Sequence, residues 1–340
     1  MTATIPTVHF DTHDLPAEER FGTWRSAVHA HEAWLPEGAD SSQFAAMVEA
    51  WTLGDVVLAV SRLPAICLAR TPEMASRDGE DWISLAFQLS GTTVFTLDHG
   101  DVVRTVGAGE IIVFDMTRDF KSNTSVHEVM TCGISRRAFL QASPEIPPHH
   151  GLLIDGRWGR LLADYLLSLV RQLPEMSTED ASGLSKSLVH LLAACLKATS
   201  DAAAPAIGRQ AANVRHLAET YIENNLSSQD LDPAAMCKAL GISKAGLYRA
   251  FANSGGVTSY IRSRRLEAIH VLLNDPRETR GIGEIAYQFG FTSDAHFSRV
   301  FRQKFGFSPR DARIGLPIPH EANADDDETT VFRRWIQRLS

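Results

Sequence analysis

One pattern occurs twice in the second half of the chain: a short helix stops at a glycine, and a second helix follows after a tight turn. The glycine is Gly241 in the first copy and Gly290 in the second, and Ser243 and Ser293 stand where the second helices begin. Glycine readily adopts the left-handed conformation that ends a helix, and serine accepts hydrogen bonds from the unpaired N–H groups of a helix start. The sequence therefore predicts two helix-turn-helix motifs, a geometry that places side chains in the DNA major groove.

The spacing of apolar residues predicts which side of the last of these helices is buried. Phe297, Phe301 and Phe305 recur every four residues and form one stripe, so the opposite face is polar and exposed. Between the two motifs, residues 258–274 show the apolar pattern of a single helix, about 25 Å long at ~1.5 Å per residue. A strut of this kind can hold two recognition helices about one DNA turn, ~34 Å, apart.

The second copy and the residues after it resemble the signature of the AraC/XylS family of transcriptional regulators. The matching residues are Ile285-Ala286, Gly290-Phe291, Phe297, Arg299, Phe301, Phe305-Gly306, Ser308-Pro309 and Arg313. One departure is Ala312, where the family usually has an aromatic residue before the arginine. The resemblance implies a cytoplasmic regulator that binds promoter DNA as a homodimer, recruits RNA polymerase and activates nearby catabolic or stress genes.

The outward-facing positions of the two recognition helices are predicted to contact bases, and the resemblance assigns that role to all of them except His296. These positions are Ala245, Tyr248, Arg249, Asp294, Ala295, His296 and Arg299. An arginine can fork onto a guanine edge, a contact worth ~1–3 kcal/mol, which makes Arg249 the strongest candidate reader. Arg299 can bind a base or a phosphate, and Asp294 can accept from a cytosine or only cap its helix. Phosphate contacts are predicted for Ser243, Lys244, Ser293, Arg302, Lys304 and Arg310.

The net charge of the chain, −8, is unevenly distributed. Residues 1–208 carry 15 Lys and Arg against 26 Asp and Glu, whereas residues 209–314 carry 15 against 10 and residues 315–340 carry 3 against 5. A basic segment joined to an acidic one is typical of a nucleic-acid-binding domain attached to a domain with another role. The four scattered cysteines, the lack of a signal peptide and the lack of an apolar run of ~20 residues predict a cytoplasmic chain with no membrane partner.

The first part of the chain is predicted to be a β-sandwich or small barrel that follows one helix, Pro16 to His31. Short apolar segments separated by turn residues predict strands at about 45–52, 55–62, 65–70, 82–90, 92–98, 101–106, 110–115 and 126–135. Asp98 to Asp101 is predicted to be a hairpin turn. Trp24, Arg70-Thr71 and Gly109-Glu110 resemble the AraC-binding-like subgroup, which implies a cupin-like jelly roll that binds an effector.

A small organic effector would be held by inward-facing strand residues, mostly apolar with few polar groups. The candidates are Trp51, Arg70, Trp82, Phe87, Gln88, Phe95 and Phe114, each of which can equally be plain barrel core. Arg70 can pair with an effector carboxylate, or it can equally be a surface residue paired with an aspartate. Two amphipathic helices, predicted at 158–172 and 182–198, either form a dimer contact or cover the barrel.

The predicted fold class is α+β, with an N-terminal cupin-like β-barrel or jelly roll, a helical hairpin and a C-terminal all-α domain. The predicted divisions are 1–198 (barrel about 1–145, hairpin about 157–198), a linker 199–208, a double helix-turn-helix domain 209–316, and an acidic linker with a short helix at 317–340. The tail helix can dock on either domain. His149-His150 is predicted to be a solvated loop.

Two alternatives to an effector-responsive activator stay open. In one, the N-terminal domain binds a protein partner or only dimerises, and no small molecule controls it. In the other, the barrel is a cupin-like enzyme. An enzyme and a cofactor are not expected, because the sequence lacks the His-x-His pair and following Glu of metal cupins, a phosphate loop and a dinucleotide fingerprint.

Overall fold

The computed structural model of the chain describes residues 4–97, 102–143, 150–202, 209–252, 255–273, 278–305, 307–313 and 327–339. The chain separates into two compact units, Met1–Ala212 with Asp326–Ser340 and Asn213–Asp325. We call the first the N-terminal domain and the second the helical domain. The predicted turn at 98–101 and the predicted loop residue His149 lie outside the described residues.

The strands of the N-terminal domain form two antiparallel sheets. They are β1 (Thr7–Asp11), β2 (Glu32–Trp34), β3 (Met47–Thr52), β4 (Val56–Leu63), β5 (Cys67–Arg70), β6 (Ile83–Ser90), β7 (Thr92–Leu97), β8 (Val102–Gly107), β9 (Ile111–Asp115), β10 (Phe120–Thr124), β11 (His127–Ile134) and β12 (Leu152–Ile154). One sheet has seven strands in the order β1-β3-β4-β11-β6-β9-β12, and the other has five in the order β2-β5-β10-β7-β8. This is the predicted sheet-rich, cupin-like architecture.

Thirteen α-helices lie within the described residues. They are α1 (Ala17–Ala27), α2 (Pro72–Arg77), α3 (Arg136–Ala142), α4 (Gly156–Gln172), α5 (Thr178–Ala202), α6 (Arg209–Asn225), α7 (Pro233–Leu240), α8 (Lys244–Ala250), α9 (Val257–Leu273), α10 (Ile282–Gln288), α11 (Asp294–Phe305), α12 (Pro309–Arg313) and α13 (Glu328–Gln337). Within the part of the chain that the structure describes, no helix combines the length and the apolar character needed to cross a bilayer.

The seven-stranded sheet is buried on both faces. Successive side chains of a strand point to opposite faces, so Ile111 and Val113 of β9 pack with α4 and α5 in one core, whereas Ile112 and Phe114 join a second core. The second core contains residues of both sheets: the ring of Phe114 lies 4.9 Å from that of Phe95 in β7 of the five-stranded sheet. The sheets therefore face each other across this second core, and the helical hairpin α4–α5 covers the outer face of the larger sheet.

The C-terminal helix α13 belongs to the N-terminal domain. Val331, Trp335 and Leu339 are buried in the same core as Trp24 of α1, and α13 contacts both α1 and β1. Leu339 reaches the seven-stranded sheet, where a Cβ on Gly133 would meet its Cδ1 at 2.6 Å. The chain thus leaves the N-terminal domain, forms the helical domain, and returns to complete the first domain's core.

The helical domain has two cores that share the long helix α9. Val257, Tyr260 and Ile261, in the first half of α9, pack with residues of α6, α7 and α8. Leu266, Ile269 and Leu273, in its second half, pack with residues of α10, α11 and α12. Helix α9 is therefore the predicted strut. Ala312, the departure from the family signature, is buried in the second core.

All eight predicted strands are present, with ends that differ by one or two residues. Four short strands were not predicted: β1, β2, β10 and β12. Strand β10 reads Phe-Lys-Ser-Asn-Thr, and its buried positions include the polar Ser122, so it has little hydrophobic signal. Helix α5 continues to Ala202, so the first four residues of the predicted linker 199–208 are helical, and residues 203–208 lie outside the described part of the chain.

Candidate nucleic-acid interface

The first helix-turn-helix consists of α7 and α8. Helix α7 ends at Gly241, whose φ of 65° is left-handed, and the side chain of Ser243 caps α8 by accepting from the Gly246 N–H at 3.1 Å. Leu247 lies fully buried between the helices, which turns the opposite face of α8 outward. The predicted contacts on that face are all exposed: Ser243, Lys244, Ala245, Tyr248 and Arg249. Because Leu247 is buried, the helical repeat of α8 brings these five predicted contact residues to one exposed surface.

The second helix-turn-helix consists of α10 and α11. The turn passes through Gly290 at a φ of 81°, and Ser293 caps α11 through a bond from the His296 N–H at 3.3 Å. Phe297 and Phe301 are buried, as their spacing predicted. The exposed face carries Ser293, Asp294, Ala295, His296, Arg299 and Arg302.

Two of the exposed side chains of α11 are already joined. The Arg299 guanidinium donates from Nη2 to Nδ1 of His296 at 3.1 Å. Since a guanidinium only donates, Nδ1 is the acceptor and the other ring nitrogen, Nε2, is the one that can carry a proton outward. The pair thus presents donors to an acceptor-rich surface such as the guanine edge or a phosphate.

Asp294 is exposed, but its carboxylate also lies close to the first helix of its own motif, α10. A Cβ on Gly283, in the first turn of α10, would meet the Asp294 carboxylate oxygens at 3.3 and 3.4 Å. A carboxylate near a helix N-terminus is favoured by the helix dipole. Asp294 thus lies beside the first turn of α10, and the cap of its own helix α11 is Ser293, not Asp294 as one of the two predictions had it.

Lys304 is the one predicted phosphate contact that the structure places elsewhere. Its ammonium donates to Ser263 Oγ at 2.6 Å and to Glu267 Oε1 at 2.5 Å, both on α9. Burial opposes ionisation of Glu267, but Arg264 and Lys304 overcome it and hold the pKa of this carboxyl below its usual value. Lys304 is therefore paired within the helical domain, whereas Lys244, Arg302 and Arg310 are exposed.

Family models match both halves of the chain. A helix-turn-helix domain covers residues 236–314, and an AraC-binding-like domain covers residues 23–197, which is more than half of the chain. The chain belongs to the AraC/XylS family of transcriptional regulators. Residues 315–340, which include α13, lie outside both matches.

Individual relatives agree with this family. The XylDLEGF operon transcriptional activator of Pseudomonas putida is 38% identical over 96 residues, which is 27% of this chain and 28% of the relative. The HTH-type transcriptional activator RhaS of Escherichia coli is 36% identical over 84 residues, 24% of this chain and 29% of that protein. The chain thus spans less than a third of the length of these curated relatives. The solved AraC-like transcriptional activator CuxR aligns with 83% of this chain and 99% of its own, at 25% identity and a TM-score of 0.56.

The predicted effector residues of this AraC/XylS-family chain divide between the two cores. Trp82, Phe95 and Phe114 lie in the core between the sheets, whereas Trp51 and Phe87 lie in the core against α4 and α5. The prediction was therefore wrong for Trp51 and Phe87 as residues that line the barrel interior, because their side chains point to the helix-covered face. Gln88 is buried, and its side-chain amide is hydrogen-bonded within the domain. The amide nitrogen donates to the Ser90 carbonyl oxygen, and the amide oxygen accepts from the Thr93 hydroxyl.

Arg70 is buried and fully engaged by groups of the chain. Its guanidinium donates to the carbonyl oxygens of Met116 at 2.5 Å, Ala30 at 2.9 Å and Glu80 at 3.1 Å. It also makes two bonds to the Asp78 carboxylate, at 2.8 and 2.9 Å. A guanidinium has five N–H groups, and five bonds are made, so an effector carboxylate would have to displace one of these acceptors. Of the two predicted roles, the geometry supports the pair with an aspartate, but the predicted surface position was wrong because the Arg70 side chain is buried.

Three interior rings were not among the predicted effector residues. Phe120 stacks on Phe114 with ring centres 4.7 Å apart, and the rings of His31 and His150 lie 5.4 and 6.3 Å from that of Phe120. Burial, followed by the charge of Arg70, lowers the pKa of His31 to about 3, so its ring is neutral at neutral pH. His150 is half-buried, and its ring bonds to the backbone of Asp115 and Asp119, which corrects the predicted solvated loop for this residue. Phe120 could have been predicted as an interior residue because it is an aromatic residue that directly follows a turn. No neighbouring residue pattern predicts an interior position for His31.

Proposed function

We propose that this protein is a sequence-specific DNA-binding regulator that activates transcription of nearby genes in response to a small organic effector. The observation that carries the proposal is the pair of helix-turn-helix motifs whose outer faces are exposed and polar, in a segment with an excess of five positive charges, as counted over residues 209–314. The two motifs would occupy successive major grooves on one side of promoter DNA. A role in regulation, and not in catalysis, is supported by the family and by the relatives.

The direct test measures binding of the full chain to duplexes from its own genomic neighbourhood by fluorescence anisotropy at moderate salt. A specific site should bind about 10³-fold or more tightly than a scrambled duplex of equal length and composition. Equal affinity for every duplex would contradict the proposal.

Arg249→Ala should relax sequence specificity while leaving most non-specific binding intact. Arg249 is exposed on the reading face of α8, and the loss of a forked contact to guanine should cost about 1–3 kcal/mol at one or two base positions. The measurement is affinity for the selected site and for its single-base variants. Arg302→Ala, on the exposed side of α11, is the matched control and should weaken binding on all sequences alike while lowering the salt slope by about 1. Identical behaviour of the two variants would contradict the division into reader and anchor.

The inter-sheet core is the proposed effector site, because aromatic rings of both sheets meet there with two histidine side chains. A planar organic effector would be recognised mainly by ring packing. The full chain should be screened by thermal unfolding against small aromatic acids and amines, and a binder present at 100 times its Kd should add about 2.7 kcal/mol of stability. The Phe114→Leu variant should lose the response, whereas Phe87→Leu, on the helix-facing side of the same sheet, should keep it.

If no compound stabilises the chain while DNA binding is normal, control by a protein partner or by dimerisation alone becomes the better account. The hairpin α4–α5 is the proposed homodimer contact, and on α4 Leu161 and Leu167 are 47% and 38% exposed. Light scattering of the full chain tests this. Recruitment of RNA polymerase and a cytoplasmic location remain part of the proposal.

A further inference from the structure

A continuous chain of ion pairs crosses the helical domain at the point where its two cores meet. Arg264 of α9 donates to Glu223 of α6 at 2.8 Å and also pairs with Glu267, one turn further along α9. Glu267 in turn accepts from Lys304 of α11 at 2.5 Å. We call these four residues the strut network. It links the first motif's supporting helix, the strut and the second recognition helix.

The position of the strut network along α9 is defined by the cores on either side. The apolar contacts of the first core end at Ile261, and those of the second core begin at Leu266. Positions 262–265 between them read Arg-Ser-Arg-Arg. Along α9 the apolar packing is therefore interrupted by charged side chains, and apolar contact between the two cores includes Leu226, which follows α6 and packs against both.

These side chains are largely withdrawn from water. Arg264 is 5% exposed, Glu223 and Glu267 are 13% and 14% exposed, and Lys304 is 23% exposed. Removing one member of such a group leaves another charge poorly solvated, so separating the paired side chains is costly. Apolar contacts are less directional and would permit one core to turn or slide against the other.

Arg265 makes a second link between the same two halves. Its guanidinium donates to the carbonyl oxygens of Leu226 and Ser228, which follow α6, at 3.1 and 2.7 Å. The same group packs on Gly290, where a Cβ would meet Arg265 Nη1 at 2.7 Å. The turn of the second motif therefore packs against the Arg265 side chain, which is hydrogen-bonded to the segment that follows α6.

We propose that the strut network and Arg265 are positioning residues that set the separation and rotation of the two recognition helices. They thereby determine which spacing the protein accepts between two DNA half-sites, by which we mean the adjacent major-groove segments contacted by α8 and α11 of the same chain. This inference rests on the proposed function as a DNA-binding regulator. No member of the strut network needs to touch DNA for this role, and Lys304 acts through Glu267.

The experiment uses the full chain and a duplex that the wild type enriches from a random 40-base-pair pool. The spacer between the two protected half-sites is then lengthened or shortened by one and two base pairs. Each step rotates the half-sites by about 34° on a duplex of ~10.5 base pairs per turn, so the wild type should lose about tenfold or more in affinity per step. Glu267→Gln and Lys304→Met should flatten this profile to within about threefold, because uncoupled halves adjust to the altered spacing.

Two controls separate positioning from a general loss of structure or of DNA contact. Lys304→Arg keeps a cation at the same place and should restore the wild-type profile, and Arg310→Ala, exposed after α11, should weaken binding at every spacing equally. If Glu267→Gln and Lys304→Met bind more weakly but keep the wild-type profile, the inference is overturned while the proposed function stands. If the wild type enriches no sequence from the pool, the proposed function fails and this inference fails with it.

Discussion

Trp335→Ala is expected to lower the free energy of unfolding of the N-terminal domain by about 3–5 kcal/mol, the range for truncating a buried Trp or Phe side chain. Trp335 of α13 is 6% exposed in the core that also holds Trp24 and Phe44. Its loss would open a cavity beneath α13, which packs on α1 and β1. Because the Trp335 side chain is part of this core, the loss of stability should appear in the N-terminal domain, although Trp335 lies near the C-terminal end of the sequence.

Urea unfolding followed by tryptophan fluorescence measures this effect selectively. All six tryptophans lie in segments that form the N-terminal domain, at positions 24, 34, 51, 82, 158 and 335, so residues 213–325 contribute no signal. Gln337→Ala, exposed on the same helix, is the control and should change stability by less than about 0.5 kcal/mol. An unchanged midpoint for Trp335→Ala would show that α13 is not part of the domain's core.

Arg70→Met should destabilise the same domain by about 3–5 kcal/mol, because three backbone carbonyl oxygens lose their buried donor at about 1–3 kcal/mol each. The substitution retains much of the side-chain volume, and the Asp78 carboxylate, which is 27% exposed, keeps its bond from the Glu80 N–H. Unfolding in urea at constant pH gives the difference directly.

A surface arginine provides the matched comparison for Arg70. Arg62 pairs with Glu128 at 3.0 Å, but its side chain is 65% exposed, so Arg62→Met should cost less than about 1 kcal/mol. If Arg70→Met is instead as stable as the wild type and loses only its response to an effector, then Arg70 is a ligand-binding residue and the structural role assigned to it is wrong.

The reading faces of α8 and α11 could be predicted because they depend on neighbours within one helical turn. Once Leu247 and Phe297 are buried, the helical repeat alone turns Arg249 and Arg299 outward. The position of Lys304 could not be predicted in this way. Its partner Glu267 lies 37 residues away, and a lysine on a helix next to other cations has the same local pattern whether it is paired or free.

The N-terminal domain shows the same limit for strands. Alternation along β9 divides its residues into two sets, and both are apolar because the seven-stranded sheet is covered on both faces. In β6 the set opposite Phe87 includes the polar Ser84 and Gln88, yet both are buried. Only the packing of α4 and α5 shows that Phe87 faces the hairpin and that Phe114 faces the other sheet. The pattern of apolar residues predicts that a side chain is buried, but it does not predict which helix or sheet covers it.

The sequence by itself determined the two helix-turn-helix motifs, the strut, eight of the twelve strands that the described residues form, and the amphipathic character of the tail, because each depends on local periodicity and on turn residues such as Gly241 and Gly290. The tertiary structure decided that α13 completes the N-terminal core, that Arg70 is bound internally, and that Glu223, Arg264, Glu267 and Lys304 form one network. These arrangements join residues that are distant along the chain, and their contacts exist only after the elements have packed.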